Sequence, residues 1–397
     1  MRFPAGRLPT TDQACVLQIA DYSAAFSTNF LSSLFRLEEL VRDRLALGTV
    51  YVFPETARAR PWIRAAQDAG AAVEFIDRSG SHRTRIRTLR HLGQEHRAAV
   101  FHTHFGTFDV DAAYAASRLR RPTVWHMHSP FLAQGTLRRR VGERLKFTLV
   151  APLLVDRIVA VSPSVAEGAI AGGAPSSRFA VVLNGIDTDR AHPLDLTSKQ
   201  TLRRRYEFAD DETVFLLLGW EPRRKGVDLF AEAARSLSAE SVTRMCCLVV
   251  SGESNESEVT ALVGGAPAVR VIHAVPDVAE LYGLADCFVS ASRAEGLPYA
   301  IGEAMAAGLP VLTSDLGQVV AVYGQAGDGV LRFRSGDARD LAAGMRRVLA
   351  LSREERQRLG TANGAFIREH LSVSRWSEEM IAVYRSILAK PASAGGR

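Results

Sequence analysis

Short apolar runs rich in β-branched residues alternate with amphipathic stretches along nearly the whole chain, and this alternation limits the fold more than any other feature. Strands separated by helical crossovers form parallel sheets with helices on their faces. The sequence therefore predicts an α/β protein. Its predicted strands lie at 14–22, 49–55, 71–77, 98–105, 122–128, 156–162, 178–186, 213–220, 245–252, 269–275, 286–292, 310–315 and 329–333.

The chain is too long for one ordinary core, at 397 residues. A polar, charge-rich interval at 187–212 interrupts the alternation, which then restarts. We expect two tandem Rossmann-like, doubly wound domains, 1–190 and 191–371, whose sheets face a cleft that binds ligands. Residues 372–397 should form a long helix that crosses back to the N-terminal domain, and then a frayed tail.

Composition indicates a soluble globular protein, with 47% hydrophobic and 23% charged residues. No run of about 18 apolar residues could form a spanning helix. The first residues lack the apolar region of a secretory signal, so we expect a cytoplasmic location.

All four cysteines lie in apolar runs without metal-ligand spacing, which predicts buried thiols at Cys15, Cys246, Cys247 and Cys287.

The formal charge of +6 permits anionic partners but selects none. Arginines at 83, 85, 87 and 90 and at 138, 139, 140 and 144 would give the first domain a basic face. An ordinary solvated surface is one interpretation, and peripheral docking on anionic lipid at the inner membrane face is the other. No nucleic-acid partner is expected, because aromatic residues are not interleaved with these arginines.

Two acids flank the turn that follows the strand at 286–292. Glu295 is predicted in the loop, and Glu303, off the buried stripe, in a helix that begins near Tyr299. Carboxylates accept hydrogen bonds from paired hydroxyls, which suits a polyhydroxylated ligand such as a nucleotide sugar. The intervening turn has backbone amides that could hold phosphate; it comprises Gly296, Leu297 and Pro298. The alternative is a solvated loop acid and a helix acid favoured by the dipole.

A lysine and a glycine follow the first strand of the second half, in GWEPRRKGVDL at 219–229. Lys225 and Gly226 are predicted to open a helix, where a lysine is well placed to meet a diphosphate. Arg223 or Arg224 could add a second positive charge, and spacing does not decide between them. The alternative is a solvated basic loop.

These two segments together resemble the retaining glycosyltransferases of the GT-B fold, family 4. The resemblance rests on the E-x7-E spacing followed by EAMAAGLPV, on the G-x5-K-G pattern, and on LNGID at 183–187. It implies that Glu295 contacts the donor sugar, that Glu303 contacts the ribose, and that Lys225 binds the diphosphate. The chain departs from the family at Trp220, where an arginine is common.

Histidines occur in pairs at two strand ends, FHTHFG and VWHMHSP. The resemblance places His128 near the donor sugar, and His104 is a weaker candidate for the acceptor side. For His102 and His126, a core residue satisfied by backbone is the alternative that the sequence leaves open. Four histidines also permit a metal site, which we disfavour because no carboxylate or cysteine is interleaved.

The first loop, at 21–30, lacks the glycines of many relatives, and Ser27, Thr28 and Asn29 could instead donate hydrogen bonds on the acceptor side. Asn184 and Gly185, in LNGID, are predicted to shape a turn. The D-x-D triplets at 109–111 and 187–189 are interpreted as helix caps or solvated acids rather than metal ligands.

The resemblance implies a retaining, metal-independent transfer of sugar from a nucleotide diphosphate sugar to an acceptor hydroxyl, with no further cofactor. A nucleotide-sugar epimerase of the same architecture and a non-enzymatic binder of anionic ligands are the alternatives. A nicotinamide-dependent dehydrogenase is disfavoured, because no G-x-G-x-x-G follows the first strand. The donor base, the sugar and the acceptor are left open by the sequence.

Overall fold

The computed structural model describes residues 13–130, 137–240, 244–252 and 254–389, with the side chains of 137–139 excepted. The predictions for the first residues, for the tail after 390, and for the side chains at positions 138 and 139 lie outside this part of the chain. Contacts divide the chain into two compact units. Unit 1 comprises the residues up to Gly185 and those from Val373 on, and unit 2 comprises Ile186–Ser372.

All thirteen predicted strands are present, and the α/β fold class is confirmed. They are β1 Cys15–Ala20, β2 Gly48–Pro54, β3 Ala72–Ile76, β4 Ala98–His104, β5 Thr123–Met127, β6 Arg157–Ala160, β7 Phe179–Val181, β8 Thr213–Leu218, β9 Met245–Ser251, β10 Val269–His273, β11 Cys287–Ser290, β12 Val311–Ser314 and β13 Val330–Phe333.

At least one helix lies between every two consecutive strands. The helices are α1 Asn29–Leu45, α2 Pro61–Asp68, α3 His82–Glu95, α4 Asp109–Leu119, α5 Leu137–Leu145, α6 Ala151–Leu154, α7 Pro163–Ala171, α8 Leu196–Arg205, α9 Pro222–Lys225, α10 Val227–Ala239, α11 Glu256–Val263, α12 Ala279–Leu284, α13 Tyr299–Ala306, α14 Gly317–Tyr323, α15 Ala338–Ala350, α16 Arg353–His370 and α17 Val373–Leu388. A π-helical segment, Lys146–Val150, joins α5 to α6. None of the described helices is long and apolar enough to span a membrane.

Each unit contains one parallel sheet. The strand order is β3-β2-β1-β4-β5-β6-β7 in unit 1 and β10-β9-β8-β11-β12-β13 in unit 2. The order reverses between β1 and β4 in one sheet and between β8 and β11 in the other. Ligands of doubly wound sheets bind at the carboxyl ends of strands beside such a reversal. Topology alone therefore predicts two ligand-binding positions, one at the reversal of each sheet.

Apolar stripes hold the helices on the sheets. The predicted stripe of α1 is buried at Phe30, Leu34, Leu37 and Val41. Burial of side chains of this size contributes roughly 1.5–3 kcal/mol each. The four cysteines are free thiols within the buried strands, as predicted. Helix α17 packs against α1 and so belongs to unit 1.

Candidate functional site

The sheet reversal of unit 2 brings two loops together. Lys225 ends the short helix α9 after β8, and Glu295 lies in the loop after β11. Gly226 has φ of 75°, and a Cβ there would lie 2.1 Å from the carbonyl oxygen of Ala291. Only glycine permits this approach, which explains the Lys-Gly pair. Lys225 ends one helical turn, and Gly226 caps the next helix, α10, whereas the sequence predicted both at the opening of one helix.

Three donor groups contact the carboxylate of Glu295. Its Oε1 lies 2.6 Å from Lys225 Nζ and 2.7 Å from the hydroxyl of Ser292, and its Oε2 lies 3.1 Å from Nη1 of Arg224. The carboxylate is buried, 7% exposed. Burial alone would raise the pKa of Glu295, but Lys225 and Arg224 outweigh it and hold that pKa below its ordinary value. Glu295 is therefore an ionised anchor for two cations.

The structure separates the two neighbouring arginines. Arg224 also donates to the carbonyl oxygen of Ala294 and to Glu221, each at 2.8 Å. The Arg223 side chain is 74% exposed, and its Nε lies 3.9 Å from Glu258. The carboxylates of Glu221 and Glu295 outweigh burial and raise the pKa of Arg224. Arg224 is thus the arginine that adjoins Lys225 and Glu295.

Glu303 lies on α13, as predicted, but its side chain is buried and accepts a hydrogen bond of 2.9 Å from Tyr282. The prediction that Glu303 falls off the buried stripe was wrong, and Ala300, assigned to that stripe, is only half-buried. The reason is that α12 and α16 both pack against α13, so neighbours enclose most of this short helix. Burial and the Glu303 carboxylate raise the pKa of Tyr282 well above its ordinary value.

A buried tyrosine contacts the loop between the two acids. Tyr323 donates to the carbonyl oxygen of Pro298 at 2.9 Å. Burial raises the pKa of Tyr323, and electrostatic interactions with Tyr299, Glu303 and Glu295 raise it further. Gly296, Leu297 and Pro298, in the loop between the acids, are buried. Of the predicted donor-site residues, Lys225, Arg224 and Glu295 are in direct contact. The Arg223 side chain is exposed, and Glu303 contacts Tyr282.

A small cavity opens beside this cluster. Its lining includes Lys225, Ser292, Pro298 and the aromatic ring of Trp220. The Trp220 side chain, where the family commonly has an arginine, is 43% exposed. Trp220 and Lys225 thus border the same cavity.

The sheet reversal of unit 1 holds the four histidines. His104 of β4 and His126 of β5 are register partners, and neighbouring imidazole centroids in the group are 4.2–5.4 Å apart. Burial lowers the pKa of His102 to about 3 and that of His128 to about 3. It also lowers the pKa values of His104 and His126 well below the ordinary range. All four rings are therefore neutral near pH 7.

The hydrogen bonds of the histidine group come from side chains. Tyr384 Oη lies 2.7 Å from Nδ1 of His102, so the alternative that backbone satisfies His102 was wrong. His104 Nε2 lies 3.0 Å from Oε1 of Gln18, and His104 Nδ1 lies 3.1 Å from Nε2 of His128. Neither ring nitrogen of His126 has a hydrogen-bond partner among the described residues, which contradicts the same alternative for His126. Nitrogens of His102, His104 and His126 lie within 4.8 Å of one another and could hold a metal ion.

The polar residues of the first loop are partly used within unit 1. Tyr22 donates to the hydroxyl of Thr28 at 2.9 Å. Asn29 Nδ2 donates to the carbonyl oxygen of Gly185 at 2.6 Å, which occupies one amide proton that the sequence assigned to a ligand. Ser27 and Thr28 are half-buried in this loop. Their acceptor-side role remains a prediction.

The aspartates of the two D-x-D triplets have structural partners, although these differ from the partners that the sequence predicted. Asp109 and Asp111 are buried in the first turn of α4. Lys146 Nζ lies 2.7 Å from Asp109, and Arg85 Nε lies 2.5 Å from Asp111. Asp187 is also buried, and its Oδ1 accepts from the backbone N–H of the second residue after it at 3.2 Å. Burial with cationic partners replaces the expected solvation at positions 109 and 111.

Two further sequence features have structural explanations. Gly185 does not lie in a turn: a Cβ there would lie 2.5 Å from Cβ of Trp376, so glycine allows α17 to approach. In the first arginine run, positions 83, 87 and 90 are exposed, whereas Arg85 pairs with the buried Asp111. The second run is exposed at Arg140 and Arg144.

Sequence reasoning missed four side chains that complete these clusters. Ser292 lies three residues before Glu295, so its position after the same strand was the available signal. Tyr282, Gln18 and Tyr384 are distant in sequence from their partners. Gln18 is a polar residue in the otherwise apolar run CVLQIA, which was the available signal. Nothing in the local pattern of Tyr282 and Tyr384 distinguishes them from core residues.

Two family models match the chain. The model described as Glycosyltransferase Family 4 matches residues 49–190, and the model described as Glycosyl transferases group 1 matches residues 212–350. D-inositol 3-phosphate glycosyltransferase from Geodermatophilus obscurus is 30% identical over 61% of this chain and 55% of its own length. Alpha-galactosylglucosyldiacylglycerol synthase from Streptococcus pneumoniae is 23% identical over 60% of this chain and 68% of its own. The chain therefore spans little more than half of the first relative.

Solved structures agree on the fold. HepE from Anabaena, crystallised in complex with UDP and glucose, superposes with a TM-score of 0.79 over 94% of this chain and 100% of its own, at 15% identity. The matched sequence models, the two Rossmann-like sheets and this superposition point to the same architecture. The chain belongs to the glycosyltransferases of the GT-B fold, with a family 4 domain followed by a group 1 domain.

Proposed function

We propose that this protein is a retaining, metal-independent glycosyltransferase that moves a sugar from a nucleotide diphosphate sugar to an acceptor hydroxyl. The observation that carries the proposal is the convergence of Lys225, Arg224 and Glu295 at the sheet reversal of unit 2. The nucleotide sugar would bind to unit 2, with its diphosphate at Lys225. Unit 1 would carry the acceptor side.

The chemistry of transfer explains why such a cluster is useful. Breaking the bond between sugar and phosphate builds positive character on the anomeric carbon and negative charge on the departing diphosphate. Fixed cations beside the leaving group stabilise that negative charge without reorganising. Lys225 and Arg224 are held in place by Glu295 before any ligand arrives. In this proposal the two cations supply the stabilisation that a metal ion provides in other transferases.

The acids have distinct proposed roles. Glu295 would accept hydrogen bonds from donor sugar hydroxyls, and Glu303 from the ribose. Three donors already engage Glu295, and Tyr282 engages Glu303, which holds both carboxylates in fixed orientations. The burial of both carboxylates strengthens such hydrogen bonds. Retention would proceed without a covalent enzyme intermediate.

Binding of nucleotide sugars is the first test. Thermal shift with UDP, GDP, ADP and their glucose or mannose conjugates should raise the melting temperature for one base, since a ligand that binds only the native state stabilises it. UDP-glucose is the first probe, because the superposed HepE was crystallised with UDP and glucose. No shift with any of these compounds would contradict the proposed donor.

Transfer is tested with acceptors suggested by the relatives' names. Inositol 3-phosphate and a glycosyldiacylglycerol are the first two. We expect a product whose anomeric configuration, read by NMR, equals that of the donor, and unchanged turnover in EDTA. Inversion, or loss of turnover restored by a divalent cation, would contradict the finer proposal. Conversion of the donor sugar without an acceptor would favour the epimerase instead.

Peripheral membrane contact is the remaining part of the proposal. Exposed apolar side chains recur every fourth residue from α5 to α6: Val141 49%, Leu145 49%, Leu149 57% and Leu153 62%. Exposed arginines, Arg140 and Arg144, adjoin the first two. Apolar residues with adjacent cations are suited to lying in the interface of an anionic bilayer. This stripe, and not the arginines alone, supports the docking of unit 1 on a membrane surface.

Vesicle sedimentation tests the docking. The wild type should bind vesicles that contain phosphatidylglycerol more than pure phosphatidylcholine, and salt should weaken the binding. The double variant Leu149→Glu, Leu153→Glu should abolish it. Leu196→Glu is the matched control, since Leu196 is 62% exposed in unit 2. Equal binding by the double variant and the control would rule out this surface.

A further inference from the structure

Five side chains of unit 1 are joined by a continuous hydrogen-bonded chain. It begins at His128 and passes through His104 and Gln18 to Tyr384 and His102, with successive distances of 3.1, 3.0, 2.9 and 2.7 Å. Four of the five side chains are buried, and His128 at the end is half-buried. The chain joins β1, β4, the end of β5 and the distant helix α17.

The hydrogen bonds have a direction. A neutral imidazole has one donor and one acceptor nitrogen, and an amide oxygen only accepts. Since Oε1 of Gln18 faces His104, the proton of His104 is on Nε2. Nδ1 of His104 is then an acceptor, so His128 donates from Nε2. The unprotonated nitrogen of His128 is consequently Nδ1.

The other half of the chain is consistent with this direction. The Gln18 amide nitrogen donates to Oη of Tyr384, and Tyr384 in turn donates to Nδ1 of His102. Every bond then has one donor and one acceptor. Reversing the Gln18 amide would reverse the proton positions on His102, His104 and His128 together. One buried amide therefore couples three tautomers.

We propose that Gln18 and Tyr384 are positioning residues that fix the tautomer of His128, so that its Nδ1 accepts a hydrogen bond from a hydroxyl of the carbohydrate ligand. The ligand in this inference rests on the proposed function, whereas the tautomer does not. Nδ1 of His128 has no hydrogen-bond partner among the described residues. The rings of Phe105 and Phe30 pack on His128 with centroid distances of 4.5 and 5.4 Å, which orients the imidazole. Its Nδ1 is a buried nitrogen, so a partner for it would have to enter the histidine group.

The inference explains two features that the donor site does not. It accounts for a glutamine buried to 1% exposure inside a strand of otherwise apolar residues. It also accounts for the hydroxyl of Tyr384 on α17, where phenylalanine would fill the same space. A helix far along the chain thereby sets the proton position at a site formed by β1, β4 and β5.

Tautomers can be read directly by NMR on the full chain labelled with ¹⁵N-histidine, without any substrate. In the wild type we expect His128 to carry its proton on Nε2 and His102 on Nε2. In Gln18→Leu both tautomers of His128 should be populated. In Tyr384→Phe the Gln18 amide loses the acceptor that orients it, so His128 should again populate both tautomers and the His102 signals should change. Thr49→Val, which removes a buried hydroxyl on the neighbouring strand, is the control and should change neither.

The outcomes that overturn the inference are distinct. A His128 tautomer that is unchanged in Gln18→Leu would show that it is set locally. If that variant does not fold, an unchanged His128 tautomer in Tyr384→Phe would show the same. Zn²⁺ that shifts the nitrogen signals of His102, His104 and His126 in the wild type would make these nitrogens metal ligands instead.

If the ligand role also holds, Gln18→Leu should lower kcat/KM about tenfold, the scale of one hydrogen bond.

Discussion

The side chains at the two sheet reversals of this protein differ in charge. In unit 2 the reversal is surrounded by full charges, with Lys225 and Arg224 on the carboxylate of Glu295. In unit 1 the reversal is surrounded by four imidazoles that burial keeps neutral. One cluster is held by ion pairs and the other by a directed chain of neutral hydrogen bonds.

The difference corresponds to the chemistry proposed for each side. A departing diphosphate carries negative charge, which fixed cations stabilise, whereas a hydroxyl requires only an oriented donor or acceptor. The same topology thus supports two kinds of recognition because different side chains follow equivalent strands. Variants in each cluster should therefore fail in different ways.

The largest effect is expected at the charged cluster. Lys225→Ala should lower turnover by about 10²–10³, the scale for losing one preorganised contact to a developing anion. Steady-state kinetics of transfer and of donor hydrolysis measure this. Arg339→Ala, an exposed arginine of unit 2, is the control. Near-normal turnover in Lys225→Ala would remove the lysine from the mechanism.

The second effect concerns nucleotide affinity. Glu303→Ala should weaken binding of the nucleoside diphosphate about tenfold to a hundredfold, as expected for a lost hydrogen bond to a charged group. Calorimetric titration measures the affinity, and Glu258→Ala is a matched acid on the exposed surface. An unchanged dissociation constant in Glu303→Ala would contradict contact with the ribose.

The neutral cluster should make the stability of unit 1 sensitive to mild acid. The folded-state pKa of a buried histidine lies below its unfolded value of 6.5, so its contribution is complete above pH 6.5 and is lost as the pH falls toward about 3. Because the pKa of Glu295 is also lowered, its contribution persists until the pH falls below 4.5. Between pH 6.5 and 4.5, protonation of the buried histidines should therefore lower the stability of unit 1, while the contribution of Glu295 to unit 2 is unchanged.

Urea unfolding at several pH values can measure this loss. In Trp220→Phe the remaining tryptophans, Trp62, Trp125 and Trp376, all lie in unit 1 and report on it. Adding His126→Phe should reduce the pH dependence below pH 6.5 by about 1.4 kcal/mol per pH unit, the linkage of one proton. His91→Phe, at an exposed position, should leave the dependence unchanged. An equal pH dependence in both variants would show that the buried rings are not responsible.

The smallest effect separates the two neighbouring arginines. Arg224→Ala should lower kcat/KM about twofold to tenfold, because one cation beside Glu295 is lost while Lys225 remains. Arg223→Ala should change it less than about twofold, since the Arg223 side chain is exposed and lies beside the exposed Glu258. The reverse order would mean that the bound nucleotide draws Arg223 into the site.

Much of the chain's organisation follows from local pattern. Alternating apolar and amphipathic segments located all thirteen strands, because strand and helix periodicities depend on neighbours in sequence. The loop position of Glu295 and the helical position of Glu303 followed in the same way. The thiol prediction held because an apolar strand is buried in any α/β fold.

Other features depended on neighbours that are remote in sequence. The burial of Glu303 comes from α12 and α16, which enclose α13, and no local period contains that information. Arg224, rather than Arg223, meets Glu295 because Gly226 lets two loops touch.

The sequence by itself determined where strands, helices and candidate charges occur, since these depend on the side chains of adjacent residues. Only the tertiary structure decided which charges are paired, which imidazoles stay neutral, and that Gln18 and Tyr384 share one hydrogen-bonded chain across 366 positions. The physical reason is that pairing, desolvation and hydrogen-bond direction depend on atoms that folding brings together from distant parts of the chain.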